Sequence, residues 1–536
     1  MTCRLGATRW GGLAFLLCVA VQIGCSGNDT TQTTGTGGAG AGASGGTGGS
    51  SGSSTGSGGS GGAATGGTGG ATTTTGTTGT GGSTGGSGGK GSGGTGGTGG
   101  ATTGGTGGAT GGTGGATGGT GGSGTDAGRP DSGAGAGKSD GGATPDVSAP
   151  PDAPDPSSDE IFDPTKLPRF DIDLPQASID ALNKVTGSSD PAQDTYVHAG
   201  FRYNGETLPD IGLRIKGEGS FRKLDKKAPF KLKFDEYVKN LAFHGLKRLT
   251  LNNMVEDPSF LAERMAYHVF RAAKLPAPRC NSALVYVNGT FYGVYANVEA
   301  EDKPFLRRWF ANDEGNLYEE GQKDFVPGAE TAFDLETNET ANDRTDLANL
   351  IAVLGAATPD NFLTSVGTAL DMQHYLRFTA AEAAVNQWDM YSYTVFYPNN
   401  FRIYHDPTSN KFVFLPWGMD MSMKPYRDSK KPHIRIFEFA RSRDRADAGV
   451  TAGLMFQRCV ESPSCKTAYI AAVREIVAVY EGAGLEAVAA TYYAQIKPQV
   501  MADTRKEYTM QAFETGYQTM LTTIRERPAA MRADLP

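Results

Sequence analysis

Histidine and cysteine are scarce in this chain: its 536 residues hold six of each. The histidines are scattered, and no Cys/His cluster has the spacing of a zinc site. Proline is almost missing from residues 31–130, and glycine there keeps no three-residue period, which excludes collagen. Past the first 25 residues no apolar run is long enough for a transmembrane helix. Positive charge is the minority sign, with 49 Lys+Arg against 57 Asp+Glu and a net charge of −8. Residues 1–150 carry five of each sign, so the whole excess falls in the remainder. A mildly acidic domain argues against general nucleic-acid binding, and no nucleic-acid partner is expected.

Glycine is abundant but uneven. Of 78 glycines, 48 lie between residues 31 and 130 and only 20 in residues 151–536. The Gly/Thr/Ser-rich stretch cannot bury enough apolar surface to offset chain entropy, so residues 26–158 are read as a disordered linker. At roughly 5–6 Å × √n, such a tether of about 130 residues has an r.m.s. reach of about 60 Å. Before it, Arg4 and Arg9 precede an apolar run from Gly11 to Gly24, which ends at Cys25. The run is short for a bilayer span and reads as a signal peptide over residues 1–25. Gly24-Cys25 resembles a bacterial lipobox. The expectation is an exported lipoprotein, at the outer membrane or cell surface, anchored by lipid on Cys25. Gln22 departs from the lipobox pattern and keeps ordinary secretion as the alternative. Cys3 and Cys18 would leave with the signal peptide. Cys459 and Cys465, six apart around Ser462-Pro463, allow a local disulfide in an oxidising compartment, and Cys280 reads as a small buried residue.

Residues 159–536 have ordinary globular composition. Strands are expected at Pro168–Pro175, Thr195–Tyr203, Leu213–Lys216 and Pro229–Phe234. In the last, Phe230, Leu232 and Phe234 alternate with Lys231 and Lys233. A helix is expected from Ser259 to Ala273, with Asp257-Pro258-Ser259 as its start signal. Ala283–Val287 and Phe291–Val298 then flank Asn288-Gly289, a two-residue hairpin signal. After Pro304 the chain reads as mainly helical, interrupted by the acidic segment Glu330–Asp346 and by a strand pair, Phe401–Tyr404 and Phe412–Leu415. Helices are expected from Cys465 to the end. The class is therefore α+β, with strands and one helix first and a larger helical part after.

Several strings together resemble the spore-coat protein H (CotH) kinase family: GLRIKGEGSF (212–221), KKAPFKLKFDEY (226–237), LKRLTLNNMVEDPSFLAERMAYHVFRAAKLPAPR (246–279), LVYVNGTFYGVYANVE (284–299), NQWDMYSYTVFYPNNFRIY (386–404) and FLPWGMDMSM (414–423). The resemblance covers most of residues 165–530. It implies an atypical, protein-kinase-like two-lobed fold, with a small lobe over about 159–300 and a large lobe over about 301–536. It also implies ATP and Mg²⁺ (or Mn²⁺) as cofactors.

Phosphoryl transfer requires a cation on the nucleotide phosphates, oxygen ligands on the metal, and a base at the acceptor hydroxyl. Lys231 or Lys233, on the strand before the helix that carries Glu263, would pair with that glutamate and reach the phosphates. Arg214 and Lys216, followed by Gly217 and Gly219, form a candidate phosphate-binding turn. Arg222, Lys223, Lys226 and Lys227 read as a solvated basic loop. By resemblance Asp389 is the catalytic acid, Asp420 the metal-binding acid and Asn400 or Asn399 a second metal ligand. Glu299 falls where a kinase hinge would meet adenine. Many relatives carry an acid two residues before Asp420, where this chain has Gly418; that loss would weaken metal binding. Trp388, Trp417, Tyr391 and Tyr393 read as packing. The function expected is transfer of phosphate from ATP to Ser/Thr of exported or surface proteins. A non-catalytic coat or assembly protein keeping the same shell is the alternative, and a small-molecule or polymer acceptor is a third possibility.

Overall fold

The computed structural model describes residues 156–394, 397–425, 432–437 and 453–536. The signal peptide, Cys25 and the Gly-rich linker up to residue 155 lie outside the described residues. Those described belong to one compact unit.

The N-terminal half is built from β1 (Arg169–Asp173), α1 (Gln176–Lys184), β2 (Val197–Tyr203), β3 (Glu206–Ile215), β4 (Phe230–Lys233), β5 (Arg248–Asn252), α2 (Ala262–Ala272), β6 (Cys280–Val287) and β7 (Thr290–Glu299). Its seven strands close into a barrel in the order β1-β2-β3-β4-β5-β7-β6, sealed by the parallel pair β1–β6. Alternation along β4 decides its faces: Phe230, Leu232 and Phe234 point into the barrel, while Lys231 and Lys233 stand outside. The interior is filled by aromatic rings, with Phe201 centred 5.4 Å from Phe170, 5.5 Å from Phe234 and 4.9 Å from Phe243. A barrel so filled is a core and offers no ligand cavity. The β6–β7 hairpin turns on Asn288 and Gly289, both at positive φ, as its two-residue loop requires. Strand β5 is the strand of this half that the sequence reading missed; Thr250 is buried beside Leu249 and Leu251, so the expected in–out alternation is blurred.

The second half holds α3 (Lys303–Trp309), β8 (Leu317–Glu319), β9 (Asp334–Leu335), α4 (Thr345–Ala356), α5 (Phe362–Val366), α6 (Met372–Ala384), β10 (Phe401–Asp406) and β11 (Lys411–Pro416). It continues through α7 (Leu454–Glu461), α8 (Pro463–Gly482), α9 (Leu485–Ala502) and α10 (Met510–Ala533). The expected β10–β11 hairpin recruits β8 and β9 into a four-stranded sheet of order β11-β10-β8-β9. Helix α2 belongs to the barrel half by sequence, yet its Met265, Val269 and Phe270 join the core of the helical half. Asp257 caps it, accepting from Ser259 N at 2.8 Å and Ala262 N at 2.7 Å. Cys459 and Cys465 are disulfide-bonded, and Cys280 is a buried free thiol. No helix among the described residues is long and apolar enough to cross a membrane.

One buried ion pair joins the halves. Lys227, expected on a solvated loop, is 1% exposed and donates to Asp503 Oδ2 at 2.6 Å; both side chains are fully buried. The same oxygen accepts from Val294 N at 3.1 Å. Gly293 makes room for it: at φ +144° a Cβ there would stand 2.6 Å from Asp503 Oδ2 and 2.9 Å from Lys227 Cε. Lys227 also lies 4.6 Å from the centre of the Phe260 ring, so its apolar stem and its charge are both satisfied. Arg222 adds a partly exposed bidentate pair to Glu507 from the same loop.

Replacing Lys227 by Met strands Asp503 in the interior and should cost about 3–5 kcal/mol, whereas the double replacement Lys227→Met/Asp503→Leu should recover most of it. Denaturant melts of the four corners of that cycle measure the coupling; additive losses would show that the pair is not the joint described. A second expectation concerns Glu382, fully buried on α6, which accepts from Ser392 N at 2.8 Å. Burial pushes its carboxyl from 4.5 up to about 8. Between those values the unfolded chain has released the proton that the fold retains. The contribution of Glu382 is therefore fully present below pH 4.5 and is lost as pH rises toward 8. Glu382→Gln should flatten this decline in melting temperature, and an unchanged slope would contradict it.

Candidate active site

A cleft of about 650 Å³ lies between the outer wall of β3 and β4 and the four-stranded sheet. Lys216, Lys231, Asn252 and Glu256 line it from the barrel side, and Glu319, Glu320, Asp389, Asn400 and Asp420 from the other. Three strands in register explain the basic wall. Arg214 pairs with Lys231 and Lys231 with Thr250, so two steps further along the same face Lys216, Pro229 and Asn252 share a row. Proline has no side chain long enough to separate its neighbours, and Lys216 Nζ donates across it to Asn252 Oδ1 at 2.6 Å. Asn252 Nδ2 in turn donates to both oxygens of buried Glu263, at 2.8 and 2.9 Å.

This geometry corrects the lysine expectation. Neither Lys231 nor Lys233 meets Glu263; the lysine connected to that glutamate is Lys216, through an asparagine. Lys233 pairs with Glu236 at 2.7 Å and does not line the cleft. Lys231 does, but it faces Glu319 and Glu336, and burial lowers its ammonium to about 8. Arg214 lines the cleft too, paired with Asp194 at 3.2 Å. Glu299, expected near a nucleotide base, is 1% exposed and held by Arg279 at 2.7 Å and by Arg308, so its carboxylate is already engaged in a structural ion pair outside the cleft.

On the opposite wall, Asp389 sits in the loop after α6. Its Oδ2 accepts from Asn399 Nδ2 at 3.3 Å and Asn400 Nδ2 at 3.1 Å, and Asn400 also bonds the Asp389 carbonyl at 2.6 Å. Burial, then the neighbouring Asp420, push the Asp389 carboxyl up to about 7. Asp420 lies on a 3-10 turn just past β11. Glu256, which the sequence reading passed over, approaches Asp420 from the barrel side; burial and that acid push it up to about 8, with Lys424 acting against them. Glu256 stands in the run MVEDPSF before α2, and only its acidity marked it in the sequence. Trp388 and Trp417 line the cleft. Tyr391 and Tyr393 are buried in the core, with the Tyr391 hydroxyl on Asp324 at 2.9 Å.

The crowded carboxylates bear on a divalent cation. Asp389, Glu256 and Asp420 share a cleft in which Asp420 raises the cost of charging the other two, a strain that a bound cation would relieve. Asp420 with Asn400, both in the lining of the cleft beside Asp389, supplies hard oxygen donors that fit such an ion. No group of three His, Cys, Asp or Glu among the described residues forms a ready-made metal cage.

Gly418 has a geometric reason. Its φ is +58°, and a Cβ there would lie 2.2 Å from Asn400 Oδ1. The Asn400 amide occupies the space that a side chain at 418 would need. Gly418→Asp should therefore lower stability by about 1–3 kcal/mol through left-handed strain alone, without strengthening cation binding. Calorimetric Mg²⁺ titration of the variant checks this; tighter binding than the unsubstituted chain would refute it.

Sequence and structure comparisons place these features in a family. The family described as "CotH kinase protein" matches residues 213–531. The inner spore coat protein H of Bacillus subtilis (strain 168) is 22% identical over 267 residues, covering 48% of this chain and 69% of that protein. A crystal structure of the Helicobacter pylori proinflammatory kinase CtkA aligns with 10% identity and a TM-score of 0.28, over 63% of this chain and 89% of that one. The HipA, HipB and operator DNA complex of the Shewanella oneidensis MR-1 toxin–antitoxin system contains a chain that aligns with 12% identity and a TM-score of 0.29, over 67% and 78%. The family match spans more than half of the chain and contains both walls of the cleft: the protein belongs to the CotH kinase protein family.

Proposed function

We propose that this chain is an exported kinase that transfers the terminal phosphoryl group of ATP to Ser/Thr hydroxyls of extracytoplasmic or surface proteins. The observation that carries the reading is the facing of Lys216 and Asp389 across one cleft, with Asp420 beside the acid. A two-lobed, kinase-like arrangement is part of the proposal, with the barrel as small lobe and the helical half as large lobe. Lys216 offers its ammonium to phosphate oxygens, supported by Arg214 and the backbone of Gly217 to Gly219. Asp389 accepts the proton of the acceptor hydroxyl, its carboxylate aimed by Asn399 and Asn400. An acid poised near neutrality suits that role. Asp420 and Asn400 would hold Mg²⁺ or Mn²⁺, which when bound supplies charge neutralisation on the phosphates. Export, the lipid anchor on Cys25 and attachment to the outer membrane or cell surface belong to the same proposal. They rest on the first 25 residues of the sequence.

Two observations favour a second reading, an inert shell serving coat or assembly: both amides that aim Asp389 bond the same carboxylate oxygen, Oδ2, and no ready-made metal cage exists among the described residues.

Nucleotide-dependent thermal shift separates the two. At ATP–Mg²⁺ equal to 100 times Kd, one site should stabilise the chain by about 2.7 kcal/mol, and an inert shell by nothing. Asp389→Ala should leave that shift largely in place while reducing phosphate transfer at least about a hundredfold, and Asp420→Ala should reduce both. Transfer of label from ATP that persists in both variants would eliminate the mechanism. Comparing protein, polymer and small-molecule acceptors fixes the substrate class.

A further inference from the structure

Lys216 and Glu263 do not touch: Lys216 lines the cleft, and Glu263 is fully buried and not part of its lining. Asn252 stands between them, with its carbonyl oxygen on the ammonium and its amide nitrogen on the carboxylate. The Lys216 ammonium can only donate, so the amide turns its oxygen to Lys216 and its nitrogen to Glu263. Aspartate at 252 could not donate to Glu263 and would repel it. Alanine would leave both partners without their bond. Glutamine would push the amide one methylene further out. The neighbouring Asn253 works on the same loop: its buried Nδ2 donates to Ser220 O at 2.9 Å and to Lys227 O at 2.6 Å. Consecutive asparagines at the end of β5 thus hold the Lys216–Lys227 segment at its start, at Ser220 and at its end. Lys227 is in turn fixed by Asp503.

We propose that Asn252 is the positioning residue of the phosphate side of the cleft, holding Lys216 through an amide relay from Glu263 in place of a direct ion pair. The inference rests on the nucleotide reading above and specifies how that reading works. A direct Lys–Glu contact would cancel much of the ammonium's charge locally. The neutral amide uses one of its three N–H donors and leaves a net cation facing the cleft. The Trp417 ring lies 5.9 Å from Nζ, and Asp420 and Glu319 are the cleft-lining acids whose charges act on the ammonium. The relay also fixes direction: Glu263 is anchored in the first turn of α2, and α2 is packed in the core of the helical half. The position of Lys216 is thereby tied to the half that carries Asp389 and Asp420.

The test is equilibrium binding of a non-hydrolysable ATP analogue to the full chain, alongside steady-state kinetics. Asn252→Asp is isosteric but supplies Lys216 with a direct ionic partner. Asn252→Ala, which removes the bond to Lys216, and Asn252→Asp, which neutralises its charge and drops the tie to Glu263, should each weaken analogue binding about ten- to a hundredfold, with the acceptor KM unchanged. In a Lys216→Met background the same substitutions should have no further effect on binding. An Asn252→Asp chain that binds within about twofold of the unsubstituted protein overturns the relay, as do losses additive with Lys216→Met. Two Asn252 variants that fail to fold would assign the residue to structure and overturn it equally. Absence of analogue binding by the unsubstituted chain would instead remove the nucleotide reading, and the relay with it.

Discussion

Everything in the cleft depends on holding two walls of unlike charge at a fixed separation, and a buried lysine–aspartate contact does much of the holding. Lys227 and Asp503 lie far apart in sequence, on the loop after β3 and the turn after α9, and meet where neither touches water. Taking two ions out of solvent is costly, and the contact persists because each has further partners: Val294 N for the carboxylate, and the Phe260 and Tyr295 rings for the ammonium. Such a joint contributes less to net stability than to register. It leaves the loop that begins at Lys216 with one place to be.

The register then decides the chemistry available. The outer faces of β3 and β4 present lysines and an arginine, while the sheet and the loop after α6 present carboxylates. Separately, each wall would be ordinary solvated surface. Brought together and partly dried, the acids are pushed toward neutrality, Asp389 to about 7 and Glu256 to about 8, and the Lys231 ammonium is lowered to about 8. Groups whose protonation can change near neutral pH are the raw material of acid–base chemistry. The same crowding makes the site receptive to a cation.

Gly418 shows how a missing side chain can be a packing solution. Read along the chain, glycine in place of an acid looks like a loss. In space, the Asn400 amide fills that position and also grips Asp389, so the backbone can approach only because no Cβ intervenes. Glu256 brings another carboxylate to Asp420 from the barrel side, across a distance in sequence that no local motif reports.

Much of this was legible before any coordinates. Alternation in β4, the Asn288-Gly289 turn, the cap at Asp257 and the β10–β11 hairpin are local signals, because pleat, turn and cap chemistry depend on a few adjacent residues. Asp389, Asp420 and Asn400 or Asn399 stand out through the family resemblance of their strings, and all four line one cleft. What the chain could not reveal was which lysine meets Glu263. Lys216, Lys231 and Lys233 share one face, and only the stagger of three strands puts Lys216 in the row of Asn252. Nor could it show that Lys227 is buried or that Glu299 is taken by two arginines, since burial and pairing are properties of what packs against a residue. Sequence settled which groups were present and on which faces; tertiary structure settled their partners, because contacts between distant segments are set by the closing of the barrel against the helices.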